Sequence, residues 1–283
     1  GNIYVTGSFA LTVDFDPGAG TTNLTSVGGN DVFIVQLDST GSLVWARAFG
    51  GALGDRAYGL GIDAAGNVYS AGYIAGTADL DPDPTVTVNF TSLGSNDIFL
   101  SKLNSAGTFV WGKTFGGGTQ DGDRGISLDS VGNVFVTGFF MGTVDFNPDP
   151  ALTDNVTAAG GDDAFVSKFL SDGTYAWAKT FGGTNLDRTQ GIATDSAGNL
   201  YLCGAFNLTV DFDSDPATTA NLTSGGDYDG FILKLTASGG FGWVRQIKGS
   251  GVDWAFQLAL DPSANVYTIG YFEATSDFDP AGT

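Results

Sequence analysis

The sequence predicts an all-β protein built from tandem copies of a four-stranded antiparallel sheet. Three observations support this: a repeat of about 66 residues, 44 glycines spread along 283 residues, and no apolar stripe at helical spacing. The repeat is clearest in aromatic positions that recur every 66 residues, at Trp45, Trp111, Trp177 and Trp243 and at Phe33, Phe99, Phe165 and Phe231.

One copy contains four predicted strands, named A to D in chain order. In the copy that starts at residue 121, strand A covers 124–129, strand B covers 133–146 with a bend at a glycine, strand C covers 163–170 and strand D covers 175–181. Short glycine-containing turns join A to B and C to D, whereas about 17 to 20 residues join B to C. Four meandering strands in a repeat of this length are typical of a β-propeller blade.

The predicted blades follow the 66-residue step. They cover residues 1–54 (a partial blade with strands B to D), 55–120, 121–186, 187–252 and 253–283 (a partial blade with strands A and B). Because both the first and the last segment contain a strand B, we expect a fragment of a larger propeller or an open array rather than a closed four-bladed ring.

Each copy repeats a series of short motifs, with substitutions. They are Asp-x-x-Gly-Asn-x-Tyr-Val-Thr-Gly, Val-Asp-Phe-Asp-Pro, Asp-x-Phe-x-x-Lys-Leu and Trp-x-x-x-Phe-Gly-Gly. This pattern resembles the bacterial SBBP ("seven-bladed β-propeller") repeat family over essentially the whole chain. The resemblance implies a propeller fold and a secreted or surface-anchored module. It implies no particular activity, because the family is defined by its repeat.

The amino-acid composition excludes several classes of partner and of active site. With 31 acidic and 11 basic residues, the net charge is −20, which argues against nucleic acid as a partner. There is no histidine, so the usual general base and most zinc sites are excluded. The single cysteine, Cys203, is predicted to be a buried, unreactive thiol. No signal peptide or membrane-spanning run is evident.

We predict no catalytic residues. Paired carboxylates can hydrolyse glycosides, but an active site normally breaks the symmetry of a repeat with unique residues. Here the acids recur at matching positions in almost every copy, which favours a structural role or repeated ion binding.

The connection from strand B to strand C begins with closely spaced acids. Oxygen ligands at alternate positions suit Ca²⁺, and three carboxylates within five residues repel one another unless a cation lies between them. The alternative is that these side chains form Asx turns with the loop backbone. The predicted metal ligands are Asp14, Asp16, Asp79, Asp81, Asp83, Asp145, Asn147, Asp149, Asp211, Asp213, Asp215, Asp277 and Asp279.

The same connection carries an Asn-x-Thr sequence in four copies. These sequences are candidate glycosylation sites if the source attaches glycans to asparagine, and otherwise they satisfy hydrogen bonds in the loop. The candidates are Asn23, Asn89, Asn155 and Asn221. The repeated tryptophans are interpreted as packing between blades rather than as sugar-stacking platforms.

These observations give one leading hypothesis and two alternatives. The leading hypothesis is a secreted or surface-displayed propeller that binds a protein or a glycan, with calcium ordering the B–C connections. The binding face would be formed by the B–C and D–A connections, because function concentrates in long loops held by a rigid scaffold. The alternatives are a structural subunit whose unpaired end strands, 2–9 and 265–272, assemble a fibre or coat, and a carbohydrate-active module.

Overall fold

The structure, a computed structural model, describes residues 1–279, so residues 280–283 of the predicted last blade lie outside it. Every regular element of residues 1–279 is a β-strand. That stretch therefore contains no helix capable of crossing a bilayer. The chain divides into two compact units, one formed by Gly1–Asp123 with Pro148–Thr153 and the other by Arg124–Asn147 with Asp154–Thr283.

Unit 1 contains two antiparallel sheets. Sheet I has the order β1-β4-β5, and sheet II has the order β6-β7-β10-β11. The strands are β1 (Ile3–Phe9), β2 (Thr12–Asp14), β3 (Asn23–Thr25), β4 (Asp31–Leu37), β5 (Leu43–Gly51), β6 (Arg56–Ile62), β7 (Val68–Ile74), β8 (Thr77–Asp79), β9 (Asn89–Thr91), β10 (Asp97–Leu103) and β11 (Phe109–Gly117).

Unit 2 contains sheet III (β12-β13-β16-β17), sheet IV (β18-β19-β22-β23) and a two-stranded sheet V (β24-β25). Its strands are β12 (Gly122–Leu128), β13 (Val134–Phe140), β14 (Thr143–Asp145), β15 (Asn155–Thr157), β16 (Asp163–Phe169), β17 (Tyr175–Phe181), β18 (Arg188–Thr194), β19 (Leu200–Phe206), β20 (Thr209–Asp211), β21 (Asn221–Thr223), β22 (Asp229–Leu235), β23 (Phe241–Gly249), β24 (Trp254–Leu260), β25 (Val266–Tyr271) and β26 (Ser276–Asp277).

The predicted A–B–C–D meander is present in sheets II, III and IV. Strand B is interrupted rather than continuous: in the third copy β13 ends at Phe140 and β14 begins at Thr143, with Gly142 between them at φ +64°. A positive φ is accessible to glycine without strain, so the predicted bend lies at a glycine.

The long B–C connection is not a simple loop, which corrects the sequence-based description. In each of four copies it folds into a two-stranded hairpin that we call an arm: β2–β3, β8–β9, β14–β15 and β20–β21. In unit 1 the arm that follows β7 of sheet II pairs with the outer strand of sheet I, through Gly50–Asp79 and Gly51–Ala78. Each strand pair within the arm is three residues long, so this added pairing helps to fix its position.

The core lies between neighbouring sheets. In unit 1, Val32 and Phe49 of sheet I pack with Val68 and Phe99 of sheet II, and the two phenyl rings meet edge to face at 5.5 Å. In unit 2, side chains of sheets III and IV form an equivalent cluster that includes Phe181, Leu200, Phe206 and Phe231. Strands with both faces covered are apolar on both faces, which explains why the alternation of apolar and polar residues is weak in the sequence.

Candidate functional site

The first aspartate of each arm closes the arm's loop. Asp79 Oδ1 accepts the N–H of Asp81 at 3.1 Å and the N–H of Val88 at 2.9 Å. Asp211 Oδ1 does the same with Asp213 and Ala220. Asp14 Oδ1 and Asp145 Oδ1 likewise each accept two loop N–H groups, one from two residues further on and one from the far end of the loop. One carboxylate oxygen therefore bridges both ends of the arm loop in all four arms.

The later aspartates form successive Asx turns. Asp81 Oδ1 accepts the N–H of Asp83 at 2.9 Å, and Asp83 Oδ1 accepts the N–H and hydroxyl of Thr85. Asp16, Asp149, Asp213, Asp215 and Asp277 also accept the N–H two residues further on. These bonds stabilise the loops without a cation.

The predicted calcium ligands thus lie on one surface loop per copy. Within residues 1–279, no three Asp, Glu or Cys side chains are arranged to hold a metal ion. These backbone bonds use Oδ1 of each carboxylate, although Asp213 also accepts the Thr218 hydroxyl through Oδ2 at 2.6 Å. Calcium also accepts backbone and water oxygens. Calcium binding by the arms stays a prediction.

The candidate glycosylation sites share one structural position. Asn23, Asn89, Asn155 and Asn221 each begin the second strand of an arm and are exposed. The threonine of each sequon bonds a threonine on the other strand of its arm, as Thr91 does with Thr77 at 2.8 Å. A further match at Asn207 is different, because that side chain is 5% exposed and contacts Asn185 and Asp227.

A groove lies beside the arm in each unit. In unit 1 it has a volume of about 620 Å³ and is lined by Arg47 of β5, by Asp81 and Asp83 of the arm and by Thr108. In unit 2 the equivalent groove has about 550 Å³ and is lined by Lys179, Asp213 and Asp215 among others, with the turn at residues 238–241. Each groove combines one basic residue with several carboxylates, so it can accept both donors and acceptors from a ligand.

The basic residue of the first groove also joins the two sheets of unit 1. Arg47 Nε donates to Gly107 O at 3.0 Å, and Nη2 donates to Ala106 O at 3.2 Å. The neighbouring Trp45 donates from Nε1 to Ser105 O at 3.2 Å and is only 8% exposed. The interpretation of the repeated tryptophan as inter-sheet packing is therefore confirmed at this position.

Buried aspartates lie at the base of the arms, and sequence reasoning missed their burial. Asp31, at the start of β4, is 1% exposed, and Asp55, between β5 and β6, is 0% exposed. Asp55 accepts the N–H of Gly51 at 2.7 Å and of Ala75 at 3.0 Å, and so connects the end of sheet I to the start of the arm. Burial raises the pKa of Asp55 to about 6, its two N–H donors oppose that rise, and the nearby Asp31 adds to it.

The same arrangement recurs in unit 2. Asp187 accepts the N–H of Gly183 at 2.7 Å and of Asn207 at 3.0 Å. Burial raises the pKa of Asp187 to about 6, against its two N–H donors, and Asp163 and Asp162 add to the rise. The signal available in the sequence was the constant position of these acids in the 66-residue repeat, which did not indicate whether they are exposed.

Other repeated residues serve the fold. In the A–B turn, Asp63 Oδ1 accepts the N–H of Ala65 and Asn67, and Oδ2 accepts the Asn67 amide at 2.7 Å. Cys203 is fully buried, as predicted, and burial raises the pKa of its thiol to about 12. That this thiol is unreactive stays a prediction. Trp254 stacks on Phe256 with ring centroids 6.0 Å apart.

Sheet V exposes an apolar surface. Tyr267, Ile269 and Tyr271 of β25 are 62%, 69% and 44% exposed. The residues at matching positions of sheet IV, Tyr201, Cys203 and Ala205, are buried. Two of them, Tyr201 and Cys203, pack with Ala255 and Leu258 of β24. The exposed surface of sheet V therefore corresponds to the surface of sheet IV that sheet V covers.

Comparison with known proteins finds sequence similarity to a repeat protein. No known family profile matches the chain. The chain is 25% identical over 324 residues to an uncharacterized WD repeat-containing protein, L264, of Acanthamoeba polyphaga mimivirus, covering 96% of this chain and 23% of that protein. It is 28% identical over 178 residues to the regulatory protein FlaEY of Caulobacter vibrioides, covering 61% of this chain and 17% of that protein.

The chain therefore spans less than a quarter of the length of these two curated relatives. A crystal structure of a protein of unknown function from Bacteroides caccae matches 86% of this chain and 93% of its own, at 13% identity and a TM-score of 0.26. A TM-score of this size supports no argument about the fold.

Proposed function

We propose that the chain is part of a non-catalytic, extracellular β-propeller of the SBBP type, which binds a protein or a glycan through its arms. The observation that carries this proposal is the groove beside the arm, which recurs at equivalent positions of units 1 and 2. A groove that recurs along the chain suits a partner that itself carries repeated contact groups. Similarity to a WD repeat-containing protein supports the propeller, since WD repeats form propeller blades.

The charge of the arms indicates the chemistry of the partner. The net charge is −20, and each groove is lined by two or more arm carboxylates. A basic protein segment, or a glycan whose hydroxyls donate to these carboxylates, is complementary to this surface. Positive charge on a partner also accelerates association at low ionic strength.

Binding can be tested with a lysine-rich peptide and a glycan array. The variant Asp81→Asn with Asp83→Asn keeps the oxygens that accept the turn N–H groups but removes two charges from the unit 1 groove. We expect weaker peptide binding, with a smaller dependence on salt, than in the wild type. The matched control is Asp38→Asn in the C–D turn of sheet I, at the other end of the strands. Equal affinity of the arm variant and the control would contradict the proposal.

Calcium ordering of the arms is part of the same proposal and has its own test. Thermal melting with millimolar calcium and with a chelator should give different melting temperatures if the arms bind the ion. An unchanged melting temperature would dismiss calcium and leave the Asx turns as the whole explanation of the arm acids.

Self-assembly is a second candidate, favoured by the exposed apolar side chains of sheet V. A second copy of the chain could cover Tyr267 and Ile269. It would then bury on sheet V the surface whose counterpart on sheet IV is covered by β24. Light scattering after size exclusion should then show a mass that rises with concentration, and Ile269→Asp should abolish the rise. A single mass of 29.1 kDa at all concentrations would rule assembly out.

A further inference from the structure

The paired aspartates at the base of two arms leave a carboxylate oxygen without a hydrogen-bond partner. Asp31 Oδ2 accepts the N–H of Val27 at 2.9 Å, but Asp31 Oδ1 is buried and has no partner. A buried acceptor without a donor is costly, and a buried charge without a partner is more so.

The unpartnered oxygen is close to the second carboxylate of the pair. A Cβ atom placed on Gly50 would lie 2.7 Å from Asp31 Oδ1 and 2.9 Å from Asp55 Oδ2, so both oxygens approach the same point. Only glycine leaves room for this approach. No ion pair to a basic residue is found for Asp31 or Asp55 in the part of the chain that the structure describes, whereas Arg188 pairs with Asp162.

Unit 2 repeats the arrangement. Asp163 Oδ2 accepts the N–H of Ala159 at 2.9 Å, and the N–H of Gly160 lies beside the same carboxylate, but Asp163 Oδ1 is buried and has no partner within hydrogen-bond geometry. A Cβ atom on Gly182 would overlap with Asp163 Oδ1, and Asp187 accepts the N–H of the next residue, Gly183, so the two carboxylates lie beside the same pair of glycines.

We infer that each of these two pairs, Asp31 with Asp55 and Asp163 with Asp187, holds one shared proton in the folded protein, which makes the contact between consecutive sheets sensitive to pH. The proton converts the unpartnered oxygen into a donor towards the neighbouring carboxylate. It also removes the repulsion between two buried charges, as in other carboxylate dyads that cannot both ionise.

Sheet IV contains a natural comparison. There, Gln246 Nε2 donates to Asp229 Oδ2 at 2.5 Å, whereas the matching residue of sheet I is Ala48 and that of sheet III is Thr180. Asp229 Oδ2 also accepts the N–H of Gly225 at 2.9 Å, and Asp229 Oδ1 accepts the N–H of Gly249 at 3.5 Å, so both oxygens of this carboxylate have donors without an added proton. Sheet II differs again, since both oxygens of Asp97 accept N–H groups, from Leu93 and Gly94.

The other charged residues near Asp55 have hydrogen-bond partners of their own. On β5, Arg47 donates to the turn of sheet II. On β6, the pKa of Arg56 is raised, first by its bond with the Tyr58 hydroxyl. On the arm, Asp79 accepts the N–H of Asp81. Asp31 therefore remains the group that acts on Asp55.

Around Asp187, the acid Asp162 is held by Arg188. Tyr228 is a further titratable neighbour, and its pKa is raised, first by burial and then by Asp227. A neutral phenol does not compete for a proton below neutral pH.

The direction of the pH effect follows from the two pKa values. Asp55 and Asp187 have folded pKa values of about 6, above the unfolded value of 3.8. Their contribution to stability is fully present below the unfolded value and is lost as the pH rises through the folded value. Stability should therefore fall as the pH rises from about 3.8 to about 6 and level off above that, the reverse of ordinary acid denaturation, so part of this loss separates about pH 5 from about pH 7.5.

The test compares melting temperatures at these two pH values. We expect the wild type to melt at least about 5 °C higher at the lower pH. In Asp31→Asn the amide oxygen still accepts from Val27, and the NH₂ group donates towards Asp55. This variant should melt higher than the wild type at the higher pH and should lose roughly half of the pH effect. The control, Asp83→Asn, should keep the full effect, because the pKa of Asp83 is lowered by bonds from Thr85.

Infrared spectroscopy provides a measurement that needs no variant. The folded protein at about pH 5 should show the carbonyl band of a protonated carboxylic acid, which disappears through about pH 6. The inference is overturned by a wild-type melting temperature that is flat or rises with pH, by an Asp31→Asn variant with the wild-type slope, or by absence of that band.

Discussion

The contact of Trp45 with sheet II gives a quantitative test of how the sheets are joined. The indole is 8% exposed, donates to Ser105 O at 3.2 Å, and a Cβ on Gly107 would lie 3.1 Å from its ring. Trp45→Phe removes the donor and part of the ring, so we expect a loss of about 1–2 kcal/mol in the free energy of unfolding. Trp45→Ala removes the whole packed side chain and should cost about 3–5 kcal/mol.

Val44 supplies the matched control, because it is the preceding residue of the same strand and is 52% exposed. Val44→Ala should change stability by less than about 0.5 kcal/mol. Thermal unfolding followed by circular dichroism should rank the variants, at about 2–4 °C per kcal/mol. If Trp45→Ala has the same melting temperature as Val44→Ala, the tryptophan does not stabilise the contact between the sheets. The explanation of the 66-residue aromatic repeat would then be wrong.

Three further predictions concern single side chains. Gly198 has φ +82° in its turn, and Ala264 occupies the matching position of the next copy at φ +61°. Gly198→Ala should lower the free energy of unfolding by about 1–2 kcal/mol, measured with urea, and Ala264→Gly should not lower it. Cys203 should react with a thiol reagent only at the rate of unfolding, because it is fully buried; rapid labelling of the native protein would contradict its place in the core. The pKa of Asp38 is lowered, first by the Thr40 hydroxyl, so its contribution to stability should be lost as the pH falls below about 3.8; acid titration of Asp38→Asn should show a smaller loss than the wild type.

The local features of the fold could be read from the sequence because they depend on neighbouring residues. Strand C of the third copy was predicted at 163–170 and is found at Asp163–Phe169. The glycine bend in strand B and the Asp-x-x-Gly-Asn turn also follow from local backbone preferences, such as the positive φ of Gly132. The exposed asparagine of each arm was placed in the right connection, although its strand was not foreseen.

The pairing of each arm could not be read in this way. Whether Asp79 lies in a free loop or pairs with Gly50 of the preceding sheet depends on a contact between residues 29 positions apart. No local propensity encodes such a pairing, because a three-residue strand has almost no preference of its own and is stabilised by the edge it joins.

The sequence by itself determined the repeat, the all-β class and the acids at fixed positions, since these follow from residue type and spacing. Only the tertiary structure decided which acids are exposed and which are buried. Asp81 is partly exposed on the arm, whereas Asp55, of the same residue type and as regular in the repeat, is enclosed where two sheets meet. The physical reason is that a carboxylate's pKa and hydrogen bonds depend on the chain segments packed around it, and those segments come from distant parts of the sequence.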